Sequence, residues 1–142
     1  MLRDAGTFSA DPLEVSVIGE EIGKASALKM CYAAYTKGTT ALLASILALV
    51  EASSVRGELE SQWERDEPGF SAQAERRARR VTARAWRFAG EMDEITETFE
   101  SQGLPGGFHR SEGEVYRRLD GFKGMDSLPE IEKVLRTLLQ NG

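Results

Sequence analysis

The stretch from Glu20 to about Ser53 contains no proline, is rich in alanine and leucine, and stops at a Ser53-Ser54 pair. These features predict one long helix, and a long helix limits the fold to architectures that can cover it. Leu28, Tyr32, Tyr35, Thr39, Leu42, Ile46 and Leu49 recur at three-and-four spacing and build a continuous apolar stripe along its length. The longest uncharged run inside it, Gly38 to Val50, falls short of the ~20 apolar residues that span a bilayer, so it reads as a buried core helix with no membrane partner.

The rest of the chain is helical in pattern. A shorter helix is expected over Val55 to Glu67, before the Pro68-Gly69 turn. The next runs from Ser71 to Ser101, with Gly103 as its stop. Val81, Ala85, Phe88, Met92, Ile95 and Phe99 line one side of it at four-three spacing, which suits lengthwise packing on the Glu20 helix or on its copy in a second subunit. After Leu104-Pro105-Gly106-Gly107, the pair Ser111 and Glu114 has the form of a capping box and starts a helix to about Phe122. A second such pair, Ser127 and Glu130, starts the last helix, where Leu128, Ile131, Val134, Leu135 and Leu138 share a face before Asn141-Gly142 ends it.

Only Leu13 to Ile18 reads as a strand, with Leu13, Val15 and Val17 alternating against Glu14 and Ser16. A lone strand has no ladder partners, so its sheet is expected from elsewhere. The predicted fold is therefore an all-α bundle of about five helices with one short N-terminal strand. Residues 1–18 form a tail and the strand; residues 19–142 form the helical domain.

A net charge of -5 and a pI near 5.0 argue against a generic binder of nucleic-acid backbones, whose affinity comes from Lys and Arg on phosphates. Cys31 is the only cysteine, which excludes an internal disulfide, and no Cys/His spacing matches a zinc site. A reducing compartment, the cytoplasm, is the expected setting. Met1 to Pro12 contains Asp4, Asp11 and Pro12 and lacks an apolar core, unlike a secretory signal.

The most informative segment for chemistry runs from Gly19 to Tyr32. Gly19 and Gly23 flank the helix start, where a second backbone or a ligand can come close, and Ser26 and Lys29 fall on one face a turn apart. A partly enclosed lysine there can act as acid or base. The same spacing also fits an ordinary solvated lysine.

Arg76, Arg77, Arg79, Arg80, Arg84 and Arg87 precede the acidic run Glu91, Asp93, Glu94, Glu97 and Glu100. Cations at a helix start and anions at its end oppose the macrodipole. This pattern fits either a solvated charged face or docking, to an anionic substrate, to a cofactor phosphate, or to a second copy in antiparallel register. His109 is the only histidine and is placed in a turn, with no Ser/His/Asp or Cys/His set to build around it. Cys31 reads as a buried, inert thiol.

The string Ile22-Gly23-Lys24-Ala25-Ser26-Ala27-Leu28-Lys29-Met30 resembles the opening of the C-terminal domain of phosphogluconate dehydrogenase-like and β-hydroxyacid dehydrogenase family proteins. Trp86-Arg87-Phe88-Ala89-Gly90-Glu91-Met92-Asp93-Glu94-Ile95, followed by Gly103-Leu104-Pro105-Gly106-Gly107-Phe108-His109, supports the likeness. The resemblance implies a domain that supplies the catalytic lysine, part of the substrate pocket and much of a dimer interface, while a Rossmann domain, in the same chain or another, binds NAD or NADP. Lys29 would then exchange a proton with the substrate hydroxyl of a small hydroxy or keto acid, with Gly23, Ser26 and Tyr32 at the substrate. Where the wider family usually has asparagine, about a turn after the lysine, this chain has Tyr32 and Ala33. Where the family often has a Lys-Asp pair, this chain has Gly90-Glu91. No Gly-x-Gly-x-x-Gly follows a strand, so no cofactor site is expected here and catalysis is not expected from the chain alone; with no Cys/His spacing of the zinc kind, no metal site is expected either. A helical oligomerisation module that has lost the chemistry is the alternative.

Overall fold

A computed structural model describes residues 22–140. The tail and the strand expected at Leu13 to Ile18 lie outside the described residues. These residues form α1 (Ile22–Ala52), α2 (Arg56–Asp66), α3 (Phe70–Arg80), α4 (Ala85–Ser101), α5 (Gly107–Arg118) and α6 (Ile131–Gln140), with 3-10 turns at Thr82–Arg84 and Asp120–Phe122 and no strand among them. The all-helical class is the one the sequence predicts.

Helix ends follow local chemistry. α1 stops where Ser54 takes a left-handed φ of 60°; Val55 N donates to the Val50 carbonyl (3.0 Å) and Ser54 N to that of Glu51 (3.2 Å), a Schellman closure. Gly103 ends α4 in the same way at φ 81°, with Leu104 N on the Phe99 carbonyl at 3.0 Å.

The single helix expected from Ser71 to Ser101 is instead two. Val81 and Thr82 are adjacent β-branched residues, and the Thr82 hydroxyl donates to the Arg79 carbonyl at 2.8 Å, drawing the chain into a 3-10 turn closed by Arg84 N on the Val81 carbonyl at 3.0 Å. Two helix starts also move. Ser111 lies inside α5, which begins at Gly107 against the Gly106 carbonyl, and α6 begins at Ile131, after Pro129, with the Glu130 carbonyl accepting from Lys133 and Val134 rather than with a Ser127 cap.

α1 is the central element and packs against each of the other five helices. It buries Ala34, Gly38, Thr40, Ala41, Leu43, Ala44, Leu47 and Ala48. The large residues of its predicted stripe point elsewhere: Tyr32, Tyr35, Leu42 and Leu49 are exposed, Tyr35 by 71%. A helix hemmed in by five neighbours needs small side chains so that other backbones can approach. At Gly38 an added Cβ would lie 2.9 Å from Glu112 Oε1. By length and hydropathy α1 is also long and apolar enough to cross a membrane; 44% of its most apolar window is buried inside the protein.

The stripe of α4 does turn inward. Ala85, Phe88, Met92 and Ile95 are buried, and α4 packs most extensively on α5, where Phe88 meets Tyr116 edge-to-face at 5.6 Å. Val134, Leu135 and Leu119 complete the interior. Each large apolar side chain enclosed there stabilises the fold by roughly 1.5–3 kcal/mol. At the far end of α1, Arg56 joins four helices through Glu51 (3.3 Å), Glu60 (3.0 Å), Glu75 (3.4 Å) and Glu132 (3.7 Å). Burial alone would lower its pKa, but bonds to Glu60 and Glu51 and the charges of Glu60 and Glu75 override this and raise it.

Candidate active-site groove

Between the N-terminal part of α1 and the middle of α4 runs an open groove of about 470 Å³. From α1 it takes Ser26, Lys29, Met30, Ala33 and Lys37; from α4 it takes Glu91, Glu94 and Ile95. The spacing of 26, 30, 33 and 37 places these residues on one helix face. Met30, Ala33 and Ile95 give the groove an apolar floor, and the charged groups stand along it.

Ser26 and Lys29 are thus brought together on one wall, as their spacing predicts. Both are exposed, and neither has a hydrogen-bond or ion-pair partner among the described residues. Gly23 and Tyr32 are not part of the lining. A Cβ on Gly23 would meet nothing within 4 Å in this chain, and Tyr32 is 59% exposed. Ala33, not Tyr32, occupies the groove position one turn after the lysine.

The end of the groove is built more tightly. Lys37 Nζ pairs with Glu91 Oε1 across the two helices and lies 4.5 Å from the centre of the Phe88 ring. Its backbone carbonyl accepts from the buried Tyr116 hydroxyl. Next to it, Glu112 presses on Gly38 while its Oε1 lies 2.7 Å from His109 Nδ1. From the other side Arg77 donates to the Thr39 (2.6 Å) and Thr40 (2.7 Å) hydroxyls and to the Thr36 carbonyl (3.3 Å). Residues 36–40 are therefore clamped from α3, α4 and α5. Within this clamp burial, chiefly, and then the charge of Glu112 hold the Tyr116 phenol well above its ordinary pKa, with Glu91 adding to the rise and Arg77 opposing it.

Three other sequence expectations change here. His109 is not in a turn but in α5, 5% exposed, with Phe99 and Phe108 against its ring at 4.5 and 4.4 Å. The glycines before it begin a helix rather than a loop. Cys31 is exposed rather than buried, because it lies on the outer side of α1. The arginine cluster divides: Arg77 is held by α1, Arg79 Nε donates to the Pro129 carbonyl at 2.7 Å, and Arg87 is 3.9 Å from Glu91 Oε2, whereas Arg76, Arg80 and Arg84 are exposed and unpartnered among the described residues. Of the acidic run, Asp93 pairs with Arg117 at 3.6 Å and Glu100 with Arg110 at 2.7 Å.

Lys37 is not singled out by the sequence, and Glu91 and Glu94 enter its charge pattern only as members of an acidic run. The 26–30–33–37 register is the signal that could have found Lys37. No set of three metal-ligating side chains occurs among the described residues. They also include no strand leading through a glycine-rich turn into a helix.

Residues 51–119 match the model of a family described as a domain of unknown function, DUF1932. That family is the C-terminal helical domain of 6-phosphogluconate dehydrogenase-like and β-hydroxyacid dehydrogenase family proteins. The matched stretch covers the α4 wall of the groove, while Ser26, Lys29 and Lys37 lie before it. No curated protein and no solved structure matches the chain.

Proposed function

We propose that this chain is the substrate-side and dimerisation domain of a cytoplasmic NAD(P)-dependent oxidoreductase of the phosphogluconate/β-hydroxyacid dehydrogenase type, acting with a Rossmann domain in cis or in trans. The observation that carries this reading is that Ser26 and Lys29 face one groove whose opposite wall lies within the family match. An exposed lysine without a counterion among the described residues can approach a substrate oxygen directly. Lys29 then takes the hydroxyl proton in oxidation or returns it in reduction, and Ser26 hydrogen-bonds the same substrate. The dinucleotide, NAD or NADP, supplies the redox equivalent when bound by the Rossmann domain.

The outward face of α1 supports dimerisation. Tyr35, Leu42 and Leu49 are exposed at heptad spacing on a helix whose other side is already packed. The same face favours the second reading, a helical oligomerisation module without catalysis. Mixing the chain with a separately expressed Rossmann domain of the family, and following NAD(P)H oxidation against small keto acids, aldehydes and imines, separates the two. Turnover is expected only with both parts, and Lys29→Ala is expected to lower kcat by about a hundredfold or more. A stable dimer with no turnover in any mixture would leave the module.

A further inference from the structure

We propose that Lys37 is a specificity-determining residue of the groove, an anchor for an anionic group of the substrate; this rests on the reading of the groove as the substrate site. The groove holds two lysines in different circumstances. Lys29 has no partner among the described residues, whereas Lys37 is half-buried and fixed from three directions: by Glu91, by the Phe88 ring face, and through the Tyr116 bond to its own carbonyl. A fixed, partly desolvated ammonium suits recognition, since the entropy of ordering its long side chain is already spent in the free protein.

Its counterion has a second cation beside it. Glu91 is shared, because Arg87 Nε lies 3.9 Å from the other carboxylate oxygen, so two cations face one anion. Arg77, behind the same turn of α1, is bonded only to hydroxyl and carbonyl oxygens. Two further carboxylates stand nearby, Glu94 on the groove wall and Glu112 beside Gly38 at 2.7 Å from His109 Nδ1, so a carboxylate or phosphate entering along the apolar floor meets Lys37 by competing with Glu91 for it, while the rest of the molecule lies toward Ser26 and Lys29. The proton-handling group and the anion-holding group are then separate residues, two helical turns apart.

The test titrates the chain, at low ionic strength, with gluconate and with its uncharged counterpart glucitol, followed by calorimetry. Gluconate is expected to bind and glucitol to bind far more weakly. Lys37→Met should weaken gluconate by about ten- to a hundredfold, Lys37→Arg should restore most of it, and Glu91→Gln, which removes the competing carboxylate, should tighten it. Thermal melts of each variant show whether the fold is kept; Glu91→Gln keeps the test decisive if Lys37→Met does not fold, because a mere strut predicts no gain in binding from it. Equal binding of the two probes, no binding of gluconate, or binding unchanged in Lys37→Met and Glu91→Gln would overturn the proposal. Because this readout needs neither cofactor nor turnover, Lys37 can fail while Lys29 stands, and the reverse.

Discussion

α1 and α4 face each other across the groove, yet they solve packing in opposite ways. α4 sends its large side chains inward and lets Met92 and Ile95 fill the space between helices; α1 sends mostly Ala, Gly and Thr inward, with Leu43 and Leu47, and leaves Tyr32, Tyr35, Leu42 and Leu49 outside. The difference follows from position. A helix at the edge of a bundle contributes volume to the core, whereas a helix touched on most sides must give volume up so that its neighbours can close around it. Among the described residues, α1 thus carries the larger exposed apolar surface, with Tyr32, Tyr35, Leu42 and Leu49 outside the core.

The contrast can be broken first at α4. Met92→Ala removes a fully buried side chain and is expected to cost about 2–5 kcal/mol, read as a fall in the denaturant midpoint; a loss below about 1 kcal/mol would mean that the α4 interior is loosely packed.

Next in size is the bond that ties α5 to α1. Tyr116→Phe is expected to cost about 1 kcal/mol at neutral pH through the lost hydrogen bond to the Lys37 carbonyl. It also carries a pH signature. The Tyr116 pKa is raised on folding, so above about pH 10 the unfolded chain loses a proton that the folded chain keeps. Stability from this group is thus whole below pH 10 and declines above it, by at most about 1.4 kcal/mol per pH unit. Chemical denaturation between neutral and alkaline pH should show that decline in the natural protein and less of it in the Phe variant; identical slopes would contradict the burial of the phenol.

The smallest effect on folding is expected on the outer face of α1. Leu42→Asp should change monomer stability by no more than about 0.5 kcal/mol while abolishing self-association, measured by sedimentation equilibrium. A variant that still assembles would move the dimer contact off this face.

What could be read in advance depends on where the information lies. Ser26 and Lys29 share a face because they are three residues apart on one helix, and that needs no tertiary knowledge. Glu91 lies 54 residues from Lys37, so their pairing depends on how α4 docks, which no local pattern encodes. The α4 stripe was legible because its apolar residues are the large ones. The α1 stripe misled for the same reason: hydropathy weights Tyr35 and Leu42, whereas close approach selects Ala41 and Gly38. The break at Val81 carries neither glycine nor proline, only a pair of β-branched residues and a threonine hydroxyl turned back on the chain. His109 follows two glycines that look like a loop but cap and open α5, which put a buried histidine where an incidental one was expected.

The clamp at Thr36–Thr40 also makes α1 a lever. Beyond it, toward the N-terminus, residues 22–33 contain no fully buried residue and touch the core only through partly buried side chains such as Met30 and Ala33, so the turn around Gly38 is the fulcrum of this segment. Ser26 stands twelve residues from that fulcrum, roughly 18 Å along the axis, so a tilt of about 5° there would swing it by roughly 1.6 Å and carry Lys29 with it. A small tilt at that turn would therefore change the distance between the two walls of the groove.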